Sequence, residues 1–89
     1  MDPAKNGVQD LTGFKNVNLS RNNLSIISTI SGDENLEQLN LENSNIYFIM
    51  KDSFEMLIGL KTLNLRNNKI RKMVFDLKKI NSVNAVIFV

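Results

Sequence analysis

The sequence predicts a short α/β solenoid, in which units of 22–24 residues stack so that each adds one strand to a parallel β-sheet. Three observations carry this. Three stretches of the chain superimpose on one another, their apolar residues alternate with polar ones at the strand period, and the intervals between them are too short for full crossover helices.

The stretches are Phe14-Lys-Asn-Val17-Asn-Leu19-Ser-Arg-Asn22-Asn-Leu24, Leu36-Glu-Gln-Leu39-Asn-Leu41-Glu-Asn-Ser44-Asn-Ile46 and Leu60-Lys-Thr-Leu63-Asn-Leu65-Arg-Asn-Asn68-Lys-Ile70. Apolar residues occupy the first, fourth, sixth and eleventh places of each, and Asn22, Ser44 and Asn68 the ninth. The starts lie 22 and then 24 residues apart. Val8 and Leu11 lead into the first unit at intervals of three, like the tail of a preceding unit. A fourth begins at Val83, continues through Val86 and Phe88, and stops at Val89 before its ninth place. The expected organisation is one domain over 1–89: a lead-in at 8–13, units at 14–35, 36–59 and 60–82, and a truncated unit at 83–89.

The pattern is similar to that of the leucine-rich repeat family, L-x-x-L-x-L-x-x-N-x-L, along nearly the whole chain. Ser44 replaces the asparagine in the middle unit. The resemblance implies a right-handed coil with its parallel sheet on a concave face and irregular, 3₁₀ or short-helical returns on the convex side. Ile49, Phe54 and Leu57 are spaced as in the 24-residue class that looks like Toll-type receptors, while Met73, Leu77 and Ile80 look more like the 22-residue intracellular class. The ninth-place amides are expected to satisfy main-chain groups of neighbouring turns, which would otherwise be buried unpaired. Ser44, with a hydroxyl only, makes the weakest rung.

In this family the concave sheet is the usual binding surface. Its outward side chains are Asn16, Gln38, Thr62 and Ala85 at the third place, Asn18, Asn40, Asn64 and Ile87 at the fifth, and Ser20, Glu42, Arg66 and Val89 at the seventh. Asn16, Asn18, Ser20, Gln38, Asn40, Glu42, Thr62, Asn64 and Arg66 therefore form the candidate surface for a protein partner. The fifth-place amides have two readings: they bond to one another along a ladder, as in cross-β stacks, or they serve a partner's backbone. Glu42 and Arg66 are placed to pair across adjacent strands, an exposed contact worth about 0–1 kcal/mol. Val86, Ile87, Phe88 and Val89 form an uncapped edge, expected either because the chain is a fragment of a longer repeat protein or because this edge pairs with a second molecule, which makes a self-assembling scaffold the alternative function.

The rest of the composition mainly excludes. The chain has 89 residues and lacks both Cys and His, so disulfides, zinc–thiolate sites, cysteine nucleophiles and histidine bases are ruled out. No cofactor or metal is expected. The clusters Asp33/Glu34/Glu37 and Asp52/Glu55 lack EF-hand spacing and read as loop or helix-start acidity. The four glycines form no phosphate-binding loop, and the serines have no histidine for a triad. No apolar run is longer than Ala85–Val89, far short of the roughly 18 residues that span a bilayer. The N-terminus lacks the apolar core of a secretory signal.

Net charge is +2, with seven of the eleven cations in residues 61–89. Lys69, Arg71, Lys72, Lys78 and Lys79 could contact phosphates, but Phe75 is the only aromatic nearby, so RNA binding ranks below protein binding. Asn18-Leu-Ser20 and Asn23-Leu-Ser25 fit the N-glycosylation acceptor pattern, and a glycan on Asn18 would block the concave face. The repeat class and these triplets lean towards an extracellular location, with a cytoplasmic one open.

Overall fold

The structure of the chain, a computed structural model, describes residues 10–50 and 52–70 together with the backbone of the strands Lys72–Met73 and Val86–Phe88. Seven short strands form two parallel sheets: β1 (Asn16–Asn18), β2 (Ile26–Ile27), β3 (Gln38–Asn40), β4 (Phe48–Ile49), β5 (Thr62–Asn64), β6 (Lys72–Met73) and β7 (Val86–Phe88). The odd-numbered strands form a four-stranded sheet in the order β1-β3-β5-β7, and the even-numbered ones a three-stranded sheet in the order β2-β4-β6. Each of the three full units therefore contributes once to each sheet, and successive units stack in register: Asn16, Gln38 and Thr62 align, as do Ile26, Phe48 and Lys72.

The second sheet corrects the expected returns. No helix or 3₁₀ turn occurs among the described residues; the return begins as an extended pair, Ile26–Ile27 or Phe48–Ile49. β-branched and aromatic residues suit a pleated surface, and stacking supplies the backbone partners. The Tyr47 N–H donates to Ser25 O (2.9 Å) and the Met50 N–H to Ile27 O (3.0 Å), extending the ladder beyond the strands. The middle return closes with successive tight turns, Ser53 N–H to Met50 O (3.1 Å), Glu55 N–H to Asp52 O (3.3 Å) and Leu57 N–H to Phe54 O (3.1 Å).

One core serves both sheets. Leu39 and Leu63 at the fourth place, Leu19, Leu41 and Leu65 at the sixth, and Ile27 and Ile49 on the inner row of the second sheet are all buried in it, with Phe54 and Leu57 from the middle return. Each such side chain removed from water contributes about 1.5–3 kcal/mol. The first unit is less completely covered: Phe14 is 50% exposed where Leu36 and Leu60 are fully buried. The lead-in segment anchors this end through a bridge between Asp10 and Ser31 and a bond from the Leu11 N–H to Ser31 O (2.7 Å). Bonds from the Thr12 hydroxyl and N–H hold the Asp10 carboxyl below its ordinary pKa.

The last strand is paired one residue out of the phase read from the repeats. Val86, Ile87 and Phe88 lie opposite Thr62, Leu63 and Asn64, so by register they take the third, fourth and fifth places and the fourth unit starts at 84. In register, the fifth-place column therefore ends at Phe88 instead of Ile87, and the third-place column at Val86 instead of Ala85. A one-residue shift exchanges the faces of a strand. A run of five apolar residues carries no alternation to fix that shift from sequence. The remaining expectations for this unit, Val83, Ala85 and Val89, lie outside the described residues, as does Val8.

Each unit leaves the four-stranded sheet through a left-handed residue at its eighth place: Arg21 (φ 62°), Asn43 (φ 53°) and Asn67 (φ 59°). Asparagine tolerates this region, whereas other L-residues carry a penalty of about 1–2 kcal/mol. Arg21→Asn is therefore expected to stabilise the chain by about 0.5–1 kcal/mol, read as a rise in denaturation midpoint. An unchanged midpoint would mean that the Arg21 side chain compensates its backbone strain.

Candidate protein-binding sheet

Two columns of asparagine run across the units, and the structure gives them different work. The ninth-place column joins the coils. Asn68 Nδ2 donates to Leu41 O in the preceding unit and to Leu65 O in its own (both 2.9 Å). Its Oδ1 accepts the N–H groups of Ser44 (2.9 Å) and Ile46 (3.0 Å). One side chain thus satisfies main-chain groups on both sides of the turn.

Ser44 fills the same place with less. Its buried hydroxyl donates to Leu19 O of the preceding unit (2.9 Å), with Glu42 O at 3.3 Å as a second acceptor. It offers no side-chain carbonyl, and the Leu24 N–H turns to the main-chain Ser44 O instead (3.0 Å). Among the described residues Asn22 bonds only within its own unit, from Nδ2 to Leu19 O (3.0 Å) and Ser20 O (3.3 Å). Asn68 is accordingly the rung with the most cross-coil bonds among the described residues.

The fifth-place column does something that neither sequence reading anticipated. Asn18 Oδ1 accepts the Ser20 N–H, Asn40 Oδ1 the Glu42 N–H and Asn64 Oδ1 the Arg66 N–H, each at 3.0 Å. These are three identical Asx turns that close the strand ends, and the expected amide-to-amide ladder gives way to them. The signal was present in the sequence as Asn two residues before a non-strand position in every unit. Each turn uses the carbonyl side of the amide, and among the described residues the Nδ2 donors are unspent, so three amides stand in register, about 4.8 Å apart, on the outward face. Asn40 and Asn64 are half-buried and Asn18 is exposed.

The third-place residues Asn16, Gln38 and Thr62 lie on the same face in the same register. At the seventh place, Ser20 and Glu42 are half-buried and Arg66 is exposed. The structure therefore brings all nine predicted residues into one area. An ion pair, Lys61–Glu37 (Nζ–Oε1 3.3 Å), bridges adjacent units beside this area. With the Lys61 side chain 65% exposed, it contributes little.

The acidic loop is also accounted for by the chain itself. Asp33 clamps two turns, its Oδ1 accepting the Asn35 N–H (3.0 Å) and its Oδ2 the Gly13 N–H (3.2 Å). No group of three potential metal ligands occurs among the described residues. Lys69 is exposed, but Arg71, Lys78 and Lys79 lie outside the described residues, so the basic patch has no geometry here. Sequence reasoning also missed an apolar surface beside the second sheet, where Ile26 aligns with Phe48, and Tyr47 and Met50 flank Phe48; all four side chains are exposed.

The family model described as leucine rich repeat matches residues 34–84, more than half of the chain. The chain belongs to the leucine-rich repeat family. Among curated proteins it is similar to the leucine-rich repeat-containing G-protein coupled receptor 5 of Rattus norvegicus, 35% identical over 60 residues. That match covers 67% of this chain but 7% of the receptor, so the chain spans a small fraction of its relative's length. No solved structure gives a significant match. No helix among the described residues is long and apolar enough to cross a membrane. Repeats of this family are in general protein-interaction modules.

Proposed function

We propose that this chain is a non-catalytic protein-binding segment of a larger repeat protein, and that its partner docks on the four-stranded sheet. The observation that carries this is the triplet of Asx turns. They fix Asn18, Asn40 and Asn64 in orientation while sparing their Nδ2 donors, which suits bonding to the carbonyls of an extended peptide or loop. Gln38 and Thr62 flank the column, and Glu42 and Arg66 set charge at its edge. The coil is taken as right-handed, the hand that parallel crossovers adopt, with this sheet as its concave face. The small share of the rat receptor covered supports a segment rather than a whole receptor. The lack of His and Cys and the spent carboxylates at Asp33 and Glu37 support binding over catalysis.

The variant Asn40→Asp/Asn64→Asp tests the reading, because aspartate keeps the turn-closing oxygen and removes the donors. Peptides selected from a displayed random library against the parent chain are expected to bind the folded variant at least about tenfold more weakly, the loss of roughly 1.4 kcal/mol. Undiminished binding by all selected peptides would move the partner surface elsewhere, with the exposed Ile26/Phe48 face the next candidate.

A further inference from the structure

The two edges of the four-stranded sheet match each other. Among the described residues β1 pairs with β3 alone and β7 with β5 alone. Successive residues of a parallel strand address its two neighbours in alternation. The Leu19 N–H donates to Asn40 O (2.8 Å) and Lys15 O accepts the Gln38 N–H (3.2 Å), so the main chain of Asn16 and Asn18 faces away from β3. In the third unit the Thr62 N–H and Asn64 O serve the preceding strand, and by register Val86 and Phe88 do the same, which turns the main chain of Ile87 away from β5. The core is open at the same ends. Phe14 is 50% exposed and Val17 and Leu24 are half-buried, where Leu36, Leu39 and Ile46 of the next unit are buried; at the far end Ile70 is again half-buried. The lead-in supplies one more piece. The Leu11 N–H bonds Ser31 O (2.7 Å) as the Ile30 N–H bonds Ser53 O (2.9 Å), so the buried Leu11 stands one unit before Ile30, on the returning limb of a coil.

We propose that this chain stacks head to tail with a second copy of itself, β7 of one chain pairing in parallel with β1 of the next. The Ile87 N–H then donates to Asn16 O of the next copy, and the Asn18 N–H of that copy donates to Ile87 O. The register that sets Ile87 opposite Leu63 sets it opposite Val17 of the next copy, and Val86 opposite Asn16. β7 of one chain and the lead-in of the next thereby become the strand and the returning limb of one shared coil. A second copy fits this edge because its last strand runs in the same direction, occupies the same places of the repeat and brings an apolar residue to the row of the half-buried Val17. The interface is heterologous, so it adds chain after chain unless the rotation closes a ring. It lies at the edge of the sheet and is separate from docking on the sheet's face.

Light scattering of the 89-residue chain over a concentration series is expected to show a mass that rises with concentration beyond the dimer. Cross-linking reads the register, which a chain without native cysteine permits. Chains carrying either Asn16→Cys or Val86→Cys are mixed in equal amounts and gently oxidised. Strands paired in register lie about 4.8 Å apart, within the span of about 4.4–6.8 Å that a disulfide bridges between Cα atoms. The mixed disulfide is expected in at least about tenfold excess over either self-pair, a preference of roughly 1.4 kcal/mol. Asn18→Cys mixed with Phe88→Cys repeats the reading at the fifth place, so that a fault in one variant does not decide it. A parent chain that stays monomeric throughout the series would overturn the proposal. So would self-pairs as frequent as the mixed product at both places, which is the mark of symmetric or random association.

Discussion

Replacing Asn68 with alanine lowers folding stability by about 3 kcal/mol or more, whereas the same change at Asn22 costs about 1 kcal/mol. The difference follows from the bonds. Asn68→Ala strips the Ser44 and Ile46 N–H groups of their acceptor and Leu41 O of a donor, and each orphaned interior group costs about 1–3 kcal/mol. Asn22→Ala removes only bonds within its own unit. A domain of this size has a total stability on the order of 4–13 kcal/mol, so the Asn68 variant sits near its unfolding threshold. Asn68→Ser, which copies the neighbouring rung, is expected to fall between the two. Urea titrations of the three variants decide the matter, and equal midpoints for the two alanine variants would refute the cross-coil role of Asn68.

The second large effect is at Gly59. A methyl group added there would run into the carbonyl oxygen of Glu34 and press on that residue's carbonyl carbon and Cα, all of them backbone of the preceding unit. A flexible side chain could yield; a stacked main chain must separate. Inserting carbon into a packed contact typically costs about 1–3 kcal/mol, and Gly59→Ala is expected at the upper end. Gly32→Ala makes the control, since its new methyl would meet mainly Leu57 Cδ2, the tip of a side chain that can change rotamer. It is expected to cost less than Gly59→Ala in the same denaturation assay. The reverse order would show that the two units are less closely apposed at Gly59 than the structure has them.

The repeat was legible because it is written three times, and each copy carries both the strand alternation and the turn asparagine. That was enough for the order of the four-stranded sheet, the inner leucines and the co-location of all nine candidate surface residues. The second sheet was not legible. Its strands are two residues long, Ile26–Ile27 and Phe48–Ile49, too short for a period to register, and they exist only because neighbouring units lend them backbone partners. The phase of β7 failed for a related reason: in Ala85–Val89 every residue is apolar, so only the pairing of Val86–Phe88 with Thr62–Asn64 sets the register. Gly59 gave no sign, since its role lies in the approach of another unit's main chain.

The fifth-place asparagines show where sequence reading stops short of chemistry. Their column was predicted, yet the choice between an amide ladder and a partner surface depended on where Oδ1 points. The structure answers with a bond to the main chain two residues on, which closes the turn and spares Nδ2. The account thus rests on a division between two columns: ninth-place side chains hold the coils together, and fifth-place side chains keep their donors for a partner.

Exchange of the asparagine side-chain NH₂ protons, followed by NMR on the nitrogen-15-labelled chain, tests that division most directly. The Asn68 Nδ2 protons, bonded to Leu41 O and Leu65 O, are predicted to exchange slowly. Those of Asn18, Asn40 and Asn64 are predicted to exchange near the rate of a free amide. Protection of Asn40 and Asn64 equal to that of Asn68 would contradict the account, because their donors would already be spent inside the fold.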